Sequence, residues 1–244
     1  MLLIVKNKIY INADDYCYDV YRTKAINKLI KLKKINSTTI IINNFDHEYK
    51  NIDFNLLQDI EIGLHMNLTY GKPLGRGYKT IVKNGYFLPL NQFIPKLILG
   101  KIDISEVISE FNLQLQKFEN LFGRIEYMDG HHHIHLYKNI SKVTQDVVKE
   151  FNIHHVRSPS KYLFTSLNGS NLLLNFLIDL NSLKKYQRTK YLVGFDLSGK
   201  KLKSDIINRY IDKYDSLEVM VHPHCHMHEM PGLLEVDEII KFNV

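Results

Sequence analysis

The chain lacks several features that mark whole classes of protein. Its 244 residues include no tryptophan, only two cysteines and six prolines. Cys17 and Cys225 are far apart and share no paired spacing, which argues against a disulfide framework and for a reducing compartment. The apolar stretch at residues 1–5 stops at Lys6, so it is too short for a signal peptide core or a membrane span. We therefore expect a soluble cytoplasmic protein with no membrane partner.

Positive charge is present but scattered. The 32 Lys and Arg against 26 Asp and Glu give a formal charge of +6. The densest basic group, within residues 28–34, is predicted to be the solvated face of a helix. No basic stripe is interleaved with aromatic residues, so we expect no nucleic-acid partner. With 45% hydrophobic residues, the length and composition predict one domain over residues 1–244.

Short β-branched runs alternate with helical patterns along the chain. Strands are predicted at residues 9–12, 38–43, 60–65, 125–129, 155–157, 192–195 and 217–222, and helices at 20–34, 141–151 and 204–214. A further helix is predicted to start at a capping box of Asp103 with Glu106 and to end at Gly123. About seven strands alternating with helices predict an α/β fold with a parallel sheet, either open or closed into a barrel. Residues 68–101 are interpreted as an excursion that covers the substrate.

Titratable side chains occur where predicted strands end. They are Asp14, Asp15, His65, His131, Arg157 and His222. Active sites of barrel enzymes are built at the C-terminal ends of strands, so this distribution favours a barrel-like ring. One carboxylate and two imidazoles can hold a divalent ion and leave positions for water and a substrate oxygen.

The adjacent acids suggest a division of roles. Consecutive strand residues point in opposite directions, so we expect one of Asp14 and Asp15 to ligate the ion while the other faces the water. His65 and His131 are candidates for the remaining ligands, and His222 for the proton donor to the leaving group. Arg157 is expected either to pair with Asp14 or to contact a substrate oxygen.

Two histidine-rich stretches need separate interpretation. In the first, His132 is expected to be a bystander, whereas His133 and His135 are candidates for orienting the neighbouring ligands. The second stretch alternates His222, His224, His226 and His228 around Cys225. A specific role is predicted for His222 alone, although a separate metal site in this second stretch stays an alternative.

The motifs together resemble a known family. They are Asn12-Ala13-Asp14-Asp15, Ser37-Thr38-Thr39 with Asn43, Gly63 to Thr69 with Gly71 to Leu74, Asp129 to His135, Val156-Arg157 and Val221-His222-Pro223. In this order they resemble the YdjC-like carbohydrate deacetylases. The resemblance implies a distorted (β/α) barrel related to polysaccharide deacetylases. It also implies one divalent ion, magnesium or zinc, and removal of acetyl groups from N-acetylated sugars such as chitooligosaccharides.

The resemblance also implies residue roles. On the matching positions Asp15, His65 and His131 would ligate the metal, Asp14 would be the base and His222 the acid. The substrate would be an acetylated mono- or oligosaccharide, and a homodimer stays open. One departure is Cys17, which stands where the family usually has a glycine. Two other functions stay open on the residues alone: a metal-dependent phosphoesterase, which would need two bridged ions, and a non-enzymatic metal-binding protein.

Overall fold

A computed structural model describes residues 8–163, 182–194, 204–224 and 234–242. In chain order the strands are β1 (Lys8–Tyr16), β2 (Ser37–Ile40), β3 (Glu61–Met66), β4 (Val82–Lys83), β5 (Tyr86–Phe87), β6 (Tyr127–Gly130), β7 (His155–Val156), β8 (Lys161–Leu163), β9 (Tyr191–Val193), β10 (Ser216–Val221), β11 (Pro223–His224) and β12 (Leu234–Glu235). The helices are α1 (Val20–Lys31), α2 (Phe45–Glu48), α3 (Phe54–Leu57), α4 (Leu90–Ile98), α5 (Ile104–Phe122), α6 (Lys138–Glu150), α7 (Ser204–Lys213) and α8 (Val236–Ile239).

Eight of the strands form one parallel sheet in the order β7-β6-β3-β2-β1-β10-β9-β8. The sheet curls into a half-barrel, and a parallel bridge between Val156 and Gln187 links β7 to the segment before β9. Polar side chains cross the interior, because the Tyr127 hydroxyl of β6 donates to Glu218 of β10 at 2.8 Å. The predicted α/β fold with a distorted barrel is confirmed.

The main sheet contains one strand more than was predicted, and the short pairs β4–β5 and β11–β12 outside it were not predicted either. Each of the seven predicted strands overlaps a strand of the main sheet, whereas β8 was not predicted. The strand predicted over 38–43 ends at Ile40, because the chain turns into a 3-10 helix over Ile42–Asn44. Within the described ranges, no helix has the length and apolar character needed to cross a membrane.

Only half of the capping box predicted at the start of helix α5 is formed. Asp103 does cap the helix, since its side chain accepts from the Ser105 backbone N–H. The Glu106 carboxylate does not return to the cap residue, however. It accepts instead from the backbone N–H groups of Lys79 and Thr80 at 2.7 and 2.9 Å. Glu106 therefore holds the 68–101 segment against α5, and that segment contains the β4–β5 hairpin and α4.

Candidate metal centre and active site

The acid pair lies in an irregular part of β1. The pairing of β1 with β2 shifts register between Ala13 and Tyr16. Asp15 has φ of 70° and Cys17 has φ of 69°, a left-handed conformation that residues other than glycine rarely adopt. The bulge breaks the alternation of a regular strand. As a result both carboxylates approach His65, and the expectation that they point in opposite directions is wrong.

Three potential ligand atoms converge beside this bulge. Asp15, His65 and His131 each offer one atom, and these atoms all lie within 4.8 Å of one another. Asp15 Oδ1 is 3.2 Å from His65 Nε2 and 2.8 Å from His131 Nδ1. Within the part of the chain that is described, none of the three atoms makes a hydrogen bond of normal geometry, although all are buried. Ligands about 2.0–2.2 Å from a divalent ion such as zinc lie roughly 3 Å apart, so this arrangement fits an ion.

The second nitrogen of His65 is held by Asp129. His65 Nδ1 lies 2.6 Å from Asp129 Oδ1 and 3.1 Å from Thr39 Oγ1. Burial by itself lowers the pKa of His65, but the Asp129 carboxylate outweighs it and raises the pKa to about 10. A carboxylate on the far nitrogen is the usual way in which a protein orients a ligating histidine. This contact leaves Nε2 facing Asp15.

Arg157 binds Asp14 through two hydrogen bonds. Arg157 Nη1 and Nη2 donate to the two carboxylate oxygens of Asp14 at 2.6 and 2.7 Å. Arg157 is 1% exposed, as buried as Asp14 itself, and its pairing with Asp14 is one of the two roles expected of it. Burial alone would raise the pKa of Asp14, but the guanidinium lowers it well below its ordinary value. The pairing with Arg157 therefore favours the ionised form of Asp14.

Two residues around Arg157 were not predicted. Asp129 Oδ2 lies 2.8 Å from Arg157 Nη2, and Glu218 Oε1 accepts from Arg157 Nε at 2.7 Å. Asp129 stands inside a recognised motif. Glu218 carried a weaker signal, a single charge within the otherwise apolar strand β10. Both carboxylates are at most 1% exposed.

His222 follows β10 and faces the acid pair. Its Nε2 lies 3.9 Å from Asp14 Oδ2, and its side chain is 26% exposed. Partial burial lowers the pKa of His222, and the Asp15 and Asp14 carboxylates oppose that shift. His224 is buried, whereas Cys225, His226 and His228 lie outside the described residues.

The other histidines of the 131–136 segment have separate contacts. His132 and His133 have φ of 53° and 55°, which turns the chain sharply after His131. The His132 ring lies 4.0 Å from that of His131 and its Nδ1 is 2.9 Å from Thr69 Oγ1. His135 is fully buried, and its Nε2 lies 2.9 Å from the Arg157 carbonyl oxygen. His135 therefore contacts the backbone of the residue that holds Asp14.

Aromatic side chains border the site on the side of His131. The rings of Tyr18 and Tyr70 stack at 3.7 Å, and their centroids lie 5.6 and 6.2 Å from that of His131. The Arg22 guanidinium covers the Tyr18 ring at 3.6 Å and lies 3.6 Å from Asp15 Oδ2. Each acid of the pair thus has one arginine beside it.

The site and the fold together define a half-barrel protein with a candidate metal centre at the C-terminal ends of its strands. Residues 8–240 match the family described as YdjC-like protein, and the chain belongs to that family. In a solved structure from Enterococcus faecalis V583, described provisionally as a cellobiose-phosphate cleavage protein, the same fold occurs with a TM-score of 0.61. That likeness has 20% sequence identity and covers 90% of this chain and 82% of the other.

Curated relatives are similar in sequence as well. A carbohydrate deacetylase of Clostridium beijerinckii is 26% identical over 223 residues, which is 88% of this chain and 81% of the relative. A carbohydrate deacetylase of Danio rerio is 28% identical over 181 residues, 72% of this chain and 56% of the relative. A chitooligosaccharide deacetylase of Serratia marcescens is 27% identical over 134 residues, 54% of this chain and 52% of the relative. This chain thus spans little more than half the length of the latter two proteins.

Proposed function

We propose that the protein is a metal-dependent hydrolase that removes acetyl groups from N-acetylated sugars or oligosaccharides. The observation that carries this proposal is the convergence of three buried potential ligand atoms, from Asp15, His65 and His131, beside a second carboxylate held by an arginine. The names of the relatives support an acetylated carbohydrate as the substrate. The single domain and the cytoplasmic location stay predictions, and so does the homodimer.

The three converging residues would hold one divalent ion, magnesium or zinc. Such an ion, when bound, acts as a Lewis acid toward the acetyl carbonyl and lowers the pKa of a water molecule. Asp129 keeps His65 oriented through Nδ1 at 2.6 Å. His133 and His135 act from outside the ligand set, His135 through its contact with the Arg157 carbonyl.

Asp14 and His222 divide the proton transfers. Asp14 accepts a proton from the attacking water, and the two contacts from Arg157 fix the direction of its oxygens. His222 is the more exposed of the two and has a lowered pKa, so it gives up its proton readily to the departing amine once protonated. General acid and base groups of this kind are each worth on the order of a hundredfold or more in rate.

The phosphoesterase alternative is less well supported. A second set of potential ligand atoms comes from Asp14, His65 and Asp129, as a two-ion site would need. The Arg157 guanidinium, however, lies 2.6 Å from Asp14 and 2.8 Å from Asp129. A fixed positive charge on two of the three ligands opposes a second cation there.

An acetate-release assay tests the proposal. Purified protein is stripped with a chelator, reloaded separately with zinc and magnesium, and incubated with acetylated mono- and oligosaccharides. We expect equal amounts of acetate and free amine, activity lost on stripping, and about one ion per chain after reloading. A His131→Ala variant should bind the ion more weakly, whereas the exposed His47, which lies on α2 away from the centre, serves as the matched control as His47→Ala. Release of phosphate from phosphorylated sugars without any acetate would contradict the proposal.

A further inference from the structure

A set of buried polar contacts lies beneath the proposed base. Arg157 Nε and Nη2 lie 2.7 and 2.6 Å from the same oxygen of Glu218, Oε1. The Tyr127 hydroxyl donates to that oxygen as well, at 2.8 Å. Tyr127 and Glu218 are at most 1% exposed. One carboxylate oxygen in the interior of the half-barrel thus accepts two hydrogen bonds and lies in ion-pair contact with Nη2.

We propose that Glu218 is a positioning residue for the hydrolysis, acting through Arg157 on Asp14; this inference rests on the proposed function. A guanidinium is planar and presents its donors as a rigid fork. Glu218 occupies the edge that carries Nε and Nη2, and Asp14 occupies the edge that carries Nη1 and Nη2. Because the two edges share one plane, fixing the first determines where the second meets Asp14.

The topology explains why Glu218 is suited to this role. Strand β10 lies beside β1 in the sheet, and Glu218 is in register with Tyr10. Glu218 lies within β10, and His222 directly follows the last residue of that strand. The strand that delivers the proposed acid therefore also carries the group that orients the proposed base, through Arg157 after β7.

Tyr127 completes the arrangement from the opposite strand. Its ring lies so close to β3 that a Cβ on Gly63 would sit 2.6 Å from Tyr127 Cδ1 and 3.0 Å from Thr39 Cγ2. Glycine at position 63 thus leaves the space in which the Tyr127 ring directs its hydroxyl to Glu218. The Tyr127 ring also lies 3.9 Å from the Arg188 guanidinium. Among the described contacts, a hydrogen bond to Glu218 joins the Tyr127 hydroxyl to the Arg157 network, so we expect its effect on hydrolysis to pass mainly through Glu218.

The experiment compares Glu218→Gln, Tyr127→Phe and the double variant in the metal-loaded, full-length protein. Glutamine keeps the size of Glu218, but a neutral amide oxygen is a poorer acceptor for the Arg157 and Tyr127 donors and removes the negative charge beside Nη2. We expect kcat for acetate release to fall about tenfold in Glu218→Gln and about threefold in Tyr127→Phe, with KM changed less than about twofold. The double variant should resemble Glu218→Gln alone, because Tyr127 acts through that residue.

Matched controls separate this role from simple stability. Glu48→Gln removes another buried carboxylate, one that binds Asn51 and His47. Tyr137→Phe removes a hydroxyl whose pKa is raised to about 12 by burial alone. Both should keep the kcat of the wild type. The Arg157 Nε–H signal in NMR spectra, assigned with Arg157→Lys, should shift in Glu218→Gln and stay in place in Glu48→Gln.

The outcomes distinguish the inference from the proposed function. If the wild type releases acetate but Glu218→Gln keeps its kcat, the positioning role is wrong while the function stands. Fully additive losses in the double variant, or a loss of kcat that follows metal content, would also overturn the positioning role. A wild type that releases no acetate from any substrate overturns the proposed function and the inference with it.

Discussion

Replacing Arg157 by lysine keeps a buried positive charge but removes the fork. The guanidinium donates to both oxygens of Asp14 at 2.6 and 2.7 Å and to Glu218 at 2.7 Å. An ammonium group donates from one point and cannot span these partners together. Losing one charge-assisted hydrogen bond on each side, at the lower end of the range of about 1.5–3 kcal/mol each, should lower the free energy of unfolding by about 3 kcal/mol. For a chain of this size that corresponds to a fall in Tm of roughly 6–12 °C.

The effect on activity should exceed the effect on stability. An Asp14 carboxylate that is displaced by about 1 Å can reduce the rate on the order of a hundredfold. We expect Arg157→Lys to lower kcat by about that factor with KM little changed, measured by acetate release at a temperature where the variant is folded. Tm from thermal unfolding and metal content per chain are measured on the same samples. Arg124→Lys, at a surface pair with Glu126 that is 48% exposed on each side, is the control and should match the wild type.

Two results would refute this reasoning about Arg157. A kcat within about twofold of the wild type would show that the orientation of Asp14 does not limit the rate. A variant that has lost its ion would show that Arg157 acts on the metal centre, through Asp129 and His65, and not on the base.

Four further predictions concern three individual residues. Asp14→Asn should keep the ion and lose about a hundredfold or more in kcat, since an amide cannot accept the proton; loss of the ion would exchange the roles of Asp14 and Asp15. Arg157 holds the pKa of Asp14 below 3.8 despite its burial, so the stability from this carboxylate is present above about pH 4 and is lost as the pH falls through the lower folded pKa. The free energy of unfolding, measured with urea between about pH 5 and 2, should therefore fall more steeply with falling pH in the wild type than in Asp14→Asn. Equal slopes for the two proteins would contradict this prediction. His222→Ala should keep the ion, with a smaller defect for an activated acetyl ester than for the amide, and equal defects would remove its role as the acid. Cys17 is buried with φ of 69°, so Cys17→Gly should be at least as stable as Cys17→Ala, because alanine keeps about 1–2 kcal/mol of left-handed strain; a more stable alanine variant would show that the turn is not strained.

Some elements of the fold could be predicted because their causes are local. The alternation of apolar runs with helical patterns led to seven of the eight strands of the main sheet. The Asp103 cap of α5 was predicted from one residue and its neighbours. The role of Glu106 was not, because its partners at Lys79 and Thr80 lie 27 and 26 residues away. A hydrogen bond over that separation depends on how a loop packs, and no local pattern encodes it.

In the candidate site, too, some features follow from local sequence and others depend on how the chain packs. The sequence by itself determined which side chains end the strands, and parallel strands bring their carboxyl ends to one edge, so Asp15, His65 and His131 were expected near one another. Only the tertiary structure decided that both acids approach His65, because that depends on a bulge and a left-handed Asp15. It also decided that Glu218 meets Arg157, since the two residues are 61 positions apart and their contact exists only where the curled sheet brings β10 opposite the end of β7. Burial turns that contact into an organised charge network, and burial is a property of the folded interior and not of any stretch of sequence.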